Sequence, residues 1–88
     1  MRPVQTTRAF GSAVRSARKK QGLSQAELAA RAGVGRQWLS ELETGKRTVE
    51  LGKALSVLSA LDLAVTFVHS QQPDRAAVDL GRILGEDT

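Results

Sequence analysis

Cysteine is absent from the 88 residues. That excludes a disulfide framework and any thiolate metal site, and it suits a reducing cytoplasm. Histidine is nearly absent too. The single one, His69, has no cluster of carboxylates near it in sequence with which to build a metal site. Long hydrophobic runs are missing. The longest apolar stretch, "LAVTFV" from Leu63 to Val68, falls far short of the roughly 20 residues that span a bilayer. No charged, apolar and small-residue signal pattern stands at the N-terminus, and no internal repeat occurs. No nucleophile, base and orienting group can be assembled, so no catalytic residue, metal or cofactor is expected and the chain is read as no enzyme. "GVGRQW" opens like a dinucleotide loop, but it lacks the third glycine and no strand precedes it. What remains is one small, soluble, cytoplasmic domain, of a size that often gains stability by dimerising.

Acidic residues are scarce in the first half. From Met1 to Arg47, ten Lys/Arg oppose three Asp/Glu, a net +7. From Thr48 to Thr88, three oppose six, a net −3. A basic front and an acidic back imply a polyanion on one side and a different partner on the other. Lys and Arg that simply keep a small domain soluble are the plainer reading of the same balance.

The periodicity is helical. Residues 1–6 form an arm without pattern. Thr7 is placed to cap a first helix on which Phe10, Ala13, Val14 and Ala17 recur at three- and four-residue steps. Arg15, Arg18, Lys19 and Lys20 fall mostly off that stripe, and Gly22 ends the helix. Ser24 and Glu27 make a capping box for a second helix that buries Leu28, Ala29 and Ala32. Gly33 breaks it. A third helix runs from Gly35 or Arg36 to Glu43, buries Leu39 and Leu42, and stops at Gly45. A fourth runs from Val49 to Leu61, with Leu51, Ala54, Leu55, Leu58 and Leu61 on one face and Asp62 as its exit. Residues 63–70 are rich in β-branched and aromatic residues and read as a short strand. A lone strand needs a ladder partner, and pairing with a second copy across a two-fold axis supplies one. A further buried helical turn is the alternative. Residues 71–88 form a tail with Ala76, Ala77, Leu80, Ile83 and Leu84 at near-helical spacing, either disordered or folding on a partner.

The second and third helices carry the chemistry. Counted from Gln25, a small residue stands fifth (Ala29), a glycine ninth (Gly33) and a branched anchor fifteenth (Leu39). A small crossing residue, a tight turn and a polar, basic first turn on the second helix suit the major groove of DNA. The first helix crosses the backbone while the second presents its N-terminal residues to base edges.

The stretch "GSAVRSARKKQGLSQAELAARAGVGRQWLSELETGKR" resembles the lambda-repressor-like, XRE-type helix-turn-helix family. The motifs are Val14-Arg15, Arg18-Lys19, Gly22-Leu23-Ser24-Gln25, Glu27-Leu28-Ala29, Ala32-Gly33-Val34, Leu39-Ser40, Leu42-Glu43 and Gly45-Lys46. The continuation "KRTVELGKALSVLSALDLAVTFV" is similar to antitoxins of the HipB type. The resemblance covers about residues 8–62 and implies an all-α fold. Its helix-turn-helix bundle has four to five helices, with one C-terminal strand pairing across a homodimer. Residues 7–62 would be the DNA-binding domain, 63–70 the dimerisation strand, with contacts from Val65, Thr66, Phe67 and Val68. The implied function is a sequence-specific repressor of a palindromic operator. It would also be the antitoxin of a HipA-like toxin kinase, in a bacterial, nucleoid-associated setting.

Base edges would be read by Arg36, suited to guanine, and Gln37, suited to adenine, with Ser40 one turn on. Glu41, able to accept from cytosine N4 but repelled by phosphates, ranks after them. Ser24, Gln25, Gly35, Trp38, Lys46 and Arg47 are placed for the DNA backbone, with Arg15, Arg18 and Lys19 adding long-range attraction. Trp38 stands where the family commonly has a small polar residue. It either covers the sugar–phosphate edge or a thymine methyl, or it folds back onto the core. Gly35 replaces the usual Ser or Thr cap. A stand-alone repressor without a toxin, and an interaction module that does not read DNA, are the competing functions.

Overall fold

The computed structural model describes residues 3–69. Four helices follow in order: α1 Thr7–Lys20, α2 Gln25–Ala32, α3 Arg36–Glu43 and α4 Leu51–Ala60. α1 packs on α3, and α2 packs on both α3 and α4. Val14, Leu23, Leu28, Ala29, Leu39, Leu42, Val57 and Leu61 form one buried cluster where the helices meet. Phe10, Ala17, Val34, Trp38 and Val49 lie around its edge.

Each helix ends by the same local device. The backbone turns through a residue at positive φ: Gly22, Gly33, Gly45 and, after α4, Asp62. Two reversed amide bonds then close the last turn, as when Val34 N–H donates to Ala29 O (3.0 Å) and Gly33 N–H to Ala30 O (3.3 Å). This satisfies carbonyls that the helix leaves without partners. At Gly33 (φ 71°) the geometry allows only three residues between α2 and α3, and a side chain there would be strained. Asp62 takes the same conformation at φ 61°, which acidic and amide side chains tolerate better than most.

Several expectations from sequence shift. The cap of α1 is Thr6, not Thr7: its hydroxyl accepts from the Ala9 amide at 2.9 Å. Thr6 has the extended backbone a cap requires, whereas Thr7 is already helical. Ala13 is exposed, and the buried stripe of α1 is Gly11, Val14 and Arg18. α4 is shorter than Val49–Leu61, and its buried face is rotated. Ala54 and Val57 are covered, while Leu51 and Leu55 are 71% and 44% exposed. Glu50 stands at the cap position of α4 and makes no side-chain cap bond.

Residues 63–69 carry neither helix nor strand, so the alternative of another buried helical turn does not hold. A strand is defined by its ladder, and a single copy offers these residues none. All seven are exposed. The tail 71–88 and its apolar positions lie outside the described residues, as do Met1, Arg2 and Ser70. No described helix is long and apolar enough to cross a membrane.

Candidate nucleic-acid interface

Ser24 and Glu27 start α2 with reciprocal hydrogen bonds. The Glu27 amide donates to Ser24 Oγ at 3.0 Å, and the Ser24 amide donates to Glu27 Oε1 at 2.8 Å. The Ser24 amide, and after it the Ser24 side chain, hold the Glu27 carboxyl below the usual carboxylate range. The Ser24 hydroxyl is therefore engaged within the chain. α3 begins at Gly35, which has no side chain to cap it. The first amides of α3 are thus left to outside acceptors, beside a backbone that nothing crowds: a Cβ at Gly35 would meet nothing within 4 Å.

The 3.6-residue period then divides α3. Leu39, Leu42 and Glu43 point inward and are buried. Arg36, Gln37 and Glu41 are exposed and Ser40 is half-buried. Arg36 with Ser40, and Gln37 with Glu41, are neighbours four residues apart, so the four share one outward surface. Gln37 Nε2 donates to Glu41 Oε2 at 3.3 Å, and Lys46 Nζ donates to Glu41 Oε1 at 3.1 Å. The Lys46 ammonium, then Gln37, hold the Glu41 carboxyl below its ordinary range. Arg47 is exposed beside Lys46. Trp38 is half-buried and packs against the core, with Lys53 Nζ 5.4 Å from its ring centroid. That is within reach of a cation–π attraction. Of the two placements open for Trp38, the packed one is present.

Beneath this surface lies a feature that the sequence reading missed. Arg18 is not a surface cation adding long-range attraction. Its Nε and Nη2 donate to Glu43 Oε2 and Oε1 at 2.7 and 2.9 Å, and its Nη1 donates to Leu23 O at 2.8 Å. The two side chains are 9% and 1% exposed. Gln25, expected at the DNA backbone, donates Nε2 to the same Glu43 Oε1 at 3.1 Å. One carboxylate thereby ties α1, the start of α2 and the end of α3. No buried side-chain polar atom among the described residues lacks a partner. A sequence cue did exist. Arg18 continues the Phe10–Val14 stripe by four residues, and Glu43 follows Leu39 by four, so opposite charges sit on two inward-facing rows. Among the described residues, no group of three His, Cys, Asp or Glu side chains could hold a metal ion.

A short helix, a three-residue glycine turn and a second helix with an open, polar N-terminal turn form the docking element of major-groove readers. Residues 14–68 match the helix-turn-helix family, and the chain belongs to it. It is a DNA-binding transcriptional regulator of the XRE type. The HTH-type transcriptional regulator y4mF of Sinorhizobium fredii is 44% identical over 62 residues, covering 70% of this chain and 82% of that one. Among solved structures, the restriction-modification controller protein C.AhdI of Aeromonas hydrophila superposes with a TM-score of 0.63. It is 36% identical over 66% of this chain and 88% of its own. HipB, in a HipB–O4 20-mer complex, gives a TM-score of 0.75 at 21% identity, over 81% of this chain and all of its own. HipB also matches at 0.74 and 21% identity, with the same coverage, from a HipA–HipB–O2–O3 complex. At that identity the HipB likeness establishes the fold alone.

Proposed function

We propose that this regulator is a dimeric repressor that reads a palindromic operator through α3, and that it is the antitoxin of a HipA-like kinase. The observation that carries the DNA reading is the division of α3. Its inward residues are locked in the core, while Arg36, Gln37 and Ser40 stand at the opening of the helix, where base edges come within reach. Arg36 matches guanine O6/N7 and Gln37 matches adenine N6/N7. Lys46, Arg47, the open amides at Gly35 and the start of α2 take phosphates. Trp38 serves as a wall beside them, and Gln25 acts through its amide, since its side chain is held by Glu43. Two copies would set half-sites about one helical turn apart, or a multiple of it.

Replacing Arg36 by Ala is expected to weaken binding to the selected operator by about 1–3 kcal/mol, a factor of roughly 5 to 150, and to relax one base position. Binding to a scrambled duplex should change little. Footprinting and anisotropy titration check this, and an unchanged operator footprint would end the assignment of α3 as reader.

The dimer reading rests on apolar surface left open. Phe67 is 94% exposed, Val68 62% and Val65 51%, and Leu51 and Leu55 lie uncovered on α4. Val65, Thr66, Phe67 and Val68 would pair with the same residues of a second copy, giving the strand its ladder and the patch its cover. Phe67→Asp is expected to weaken the dimer by about 2 kcal/mol per copy through lost burial. Sedimentation would then find monomer where the wild type is dimer.

The antitoxin role is supported by the α4-to-Val68 continuation and by the fold shared with HipB, a protein whose solved complexes include HipA. The charge balance of the sequence, +7 over residues 1–47 against −3 over residues 48–88, suits a second partner other than DNA. A second reading, a regulator without a toxin, is favoured by the higher identity to y4mF and C.AhdI. A kinase-like reading frame beside the gene, and its product recovered with the native protein, separates the two. Either role places the protein in the bacterial cytoplasm, at the nucleoid.

A further inference from the structure

We infer that Glu41 is a specificity-determining residue, a carboxylate that holds Lys46 and Gln37 in the free protein and releases both fully only to a matching site. The inference rests on the DNA-reading role of α3 given above.

The Glu41–Lys46 pair is not a chance meeting of two long side chains. The Lys46 amide already donates to the Glu41 carbonyl at 3.1 Å in the turn that ends α3. The Thr44 hydroxyl donates to the Glu41 and Ser40 carbonyls at 3.0 and 3.2 Å and braces the same turn. The backbone thus delivers the Lys46 ammonium to the Glu41 carboxylate, where it binds at 3.1 Å. The second carboxylate oxygen accepts from Gln37 at 3.3 Å. One phosphate-binding candidate and one base-reading candidate therefore share a single intramolecular acceptor. The pair is half-exposed, at 29% and 48%, so it is weak enough to open.

Approach to DNA forces an exchange. On a scrambled duplex, phosphate contacts supply nearly all the affinity. There Lys46 gains a phosphate only by leaving Glu41, whose carboxylate is then uncompensated beside other phosphates. On a matching site, Gln37 is repaid by an adenine edge and Glu41 can accept from a cytosine N4–H. The carboxylate therefore penalises the wrong sequence more than the right one, which raises specificity without raising affinity.

The test titrates two duplexes across a salt series. One has scrambled sequence, and the other is enriched by the wild-type protein from a random-sequence pool. Glu41→Gln should tighten the scrambled duplex about five- to tenfold near 0.1 M salt and steepen its log–log salt slope by about 0.9, one added phosphate contact. The enriched duplex should change less than about threefold, so that the specificity ratio falls. In a Lys46→Ala background, Glu41→Gln should leave the salt slope of the scrambled duplex unchanged and keep only the smaller gain from relieved phosphate repulsion, because the cation it restrains is gone. An unchanged affinity of Glu41→Gln for the scrambled duplex, or a steeper salt slope that persists without Lys46, overturns the inference while leaving α3 as reader. Failure of the wild-type protein to enrich or retain any duplex overturns both. Thermal melts of the variants, expected to match the wild type at these solvent-facing positions, exclude unfolding as a cause.

Discussion

Glu43→Ala is expected to destabilise the domain by about 3–5 kcal/mol, because it leaves the Arg18 guanidinium buried and unpaired. Small domains have about 5–15 kcal/mol in total, so the variant retains a native state only narrowly. Its melting temperature should fall by roughly 15–30 °C, followed by circular dichroism. Arg18→Ala should be similarly severe, since it strips Glu43 of two donors and Leu23 O of one. The double replacement Arg18→Met with Glu43→Leu removes both charges together and should lie close to wild type. If Glu43→Ala melted within a few degrees of wild type, the pair would not be what binds α1 to α3.

The same carboxylate gives the fold its acid sensitivity. Burial pushes the Glu43 carboxyl up, but bonds from Arg18 and Gln25 and the fields of Arg18 and Arg15 outweigh it and hold it below the ordinary range. The Arg18 guanidinium, bonded to Glu43, is raised and stays charged throughout. A carboxyl depressed in the folded state stabilises fully above its unfolded pKa of about 4.3. That contribution is lost as pH falls through the folded value. Stability should therefore be flat through neutral pH and decline below about pH 4.5. The double replacement should flatten that decline. Glu27 and Glu41 are depressed in the same direction but sit in solvent, where such shifts carry little stability.

Gly11→Ala should destabilise the domain by a different route. In mid-helix this change ordinarily stabilises by up to about 1 kcal/mol. Here α1 crosses α3 so closely that a Cβ would land on the Leu42 carbonyl oxygen, 2.9 Å from its carbon and 3.3 Å from Glu43 Cα. All three are backbone atoms of a packed helix, so no side chain can swing aside. The helices must part, at an expected cost of about 3 kcal/mol or more. Gly52 on α4 is the internal control. A Cβ there meets nothing within 4 Å, so Gly52→Ala should stabilise by about 0.5–1 kcal/mol. Opposite signs for one substitution in two helices, read by urea unfolding, identify the crossing as the cause. A neutral Gly11→Ala would mean that α1 and α3 do not approach this closely.

The parts of this molecule legible in sequence are those whose chemistry is local. Ser24 and Glu27 stand three apart and bond each other. Gly33 turns the chain by its own backbone freedom, and Leu39 and Leu42 mark the inner face of α3. What escaped depends on partners distant in sequence. Arg18 looked like a surface cation because Glu43 lies 25 positions away. Gly11 looked unremarkable because its neighbour is the backbone of another helix. On α4, apolar residues occur on more than one side. Periodicity alone favoured Leu51 and Leu55 over Val57, and only the packing of α2 selects the buried face. Adjacent threonines made the α1 cap ambiguous by one position. At the candidate interface, composition revealed which residues face outward. It did not reveal that Gln25, Gln37, Glu41 and Lys46 already hold bonds within the chain.

The division of labour along α3 has an evolutionary corollary. Anchorage is concentrated in Leu39, Leu42 and Glu43, while Arg36, Gln37 and Glu41 are exposed and are not members of the buried cluster. Descendants of this scaffold can exchange those solvent-facing letters, and so drift toward new addresses in a genome, while melting at nearly the same temperature as their ancestor.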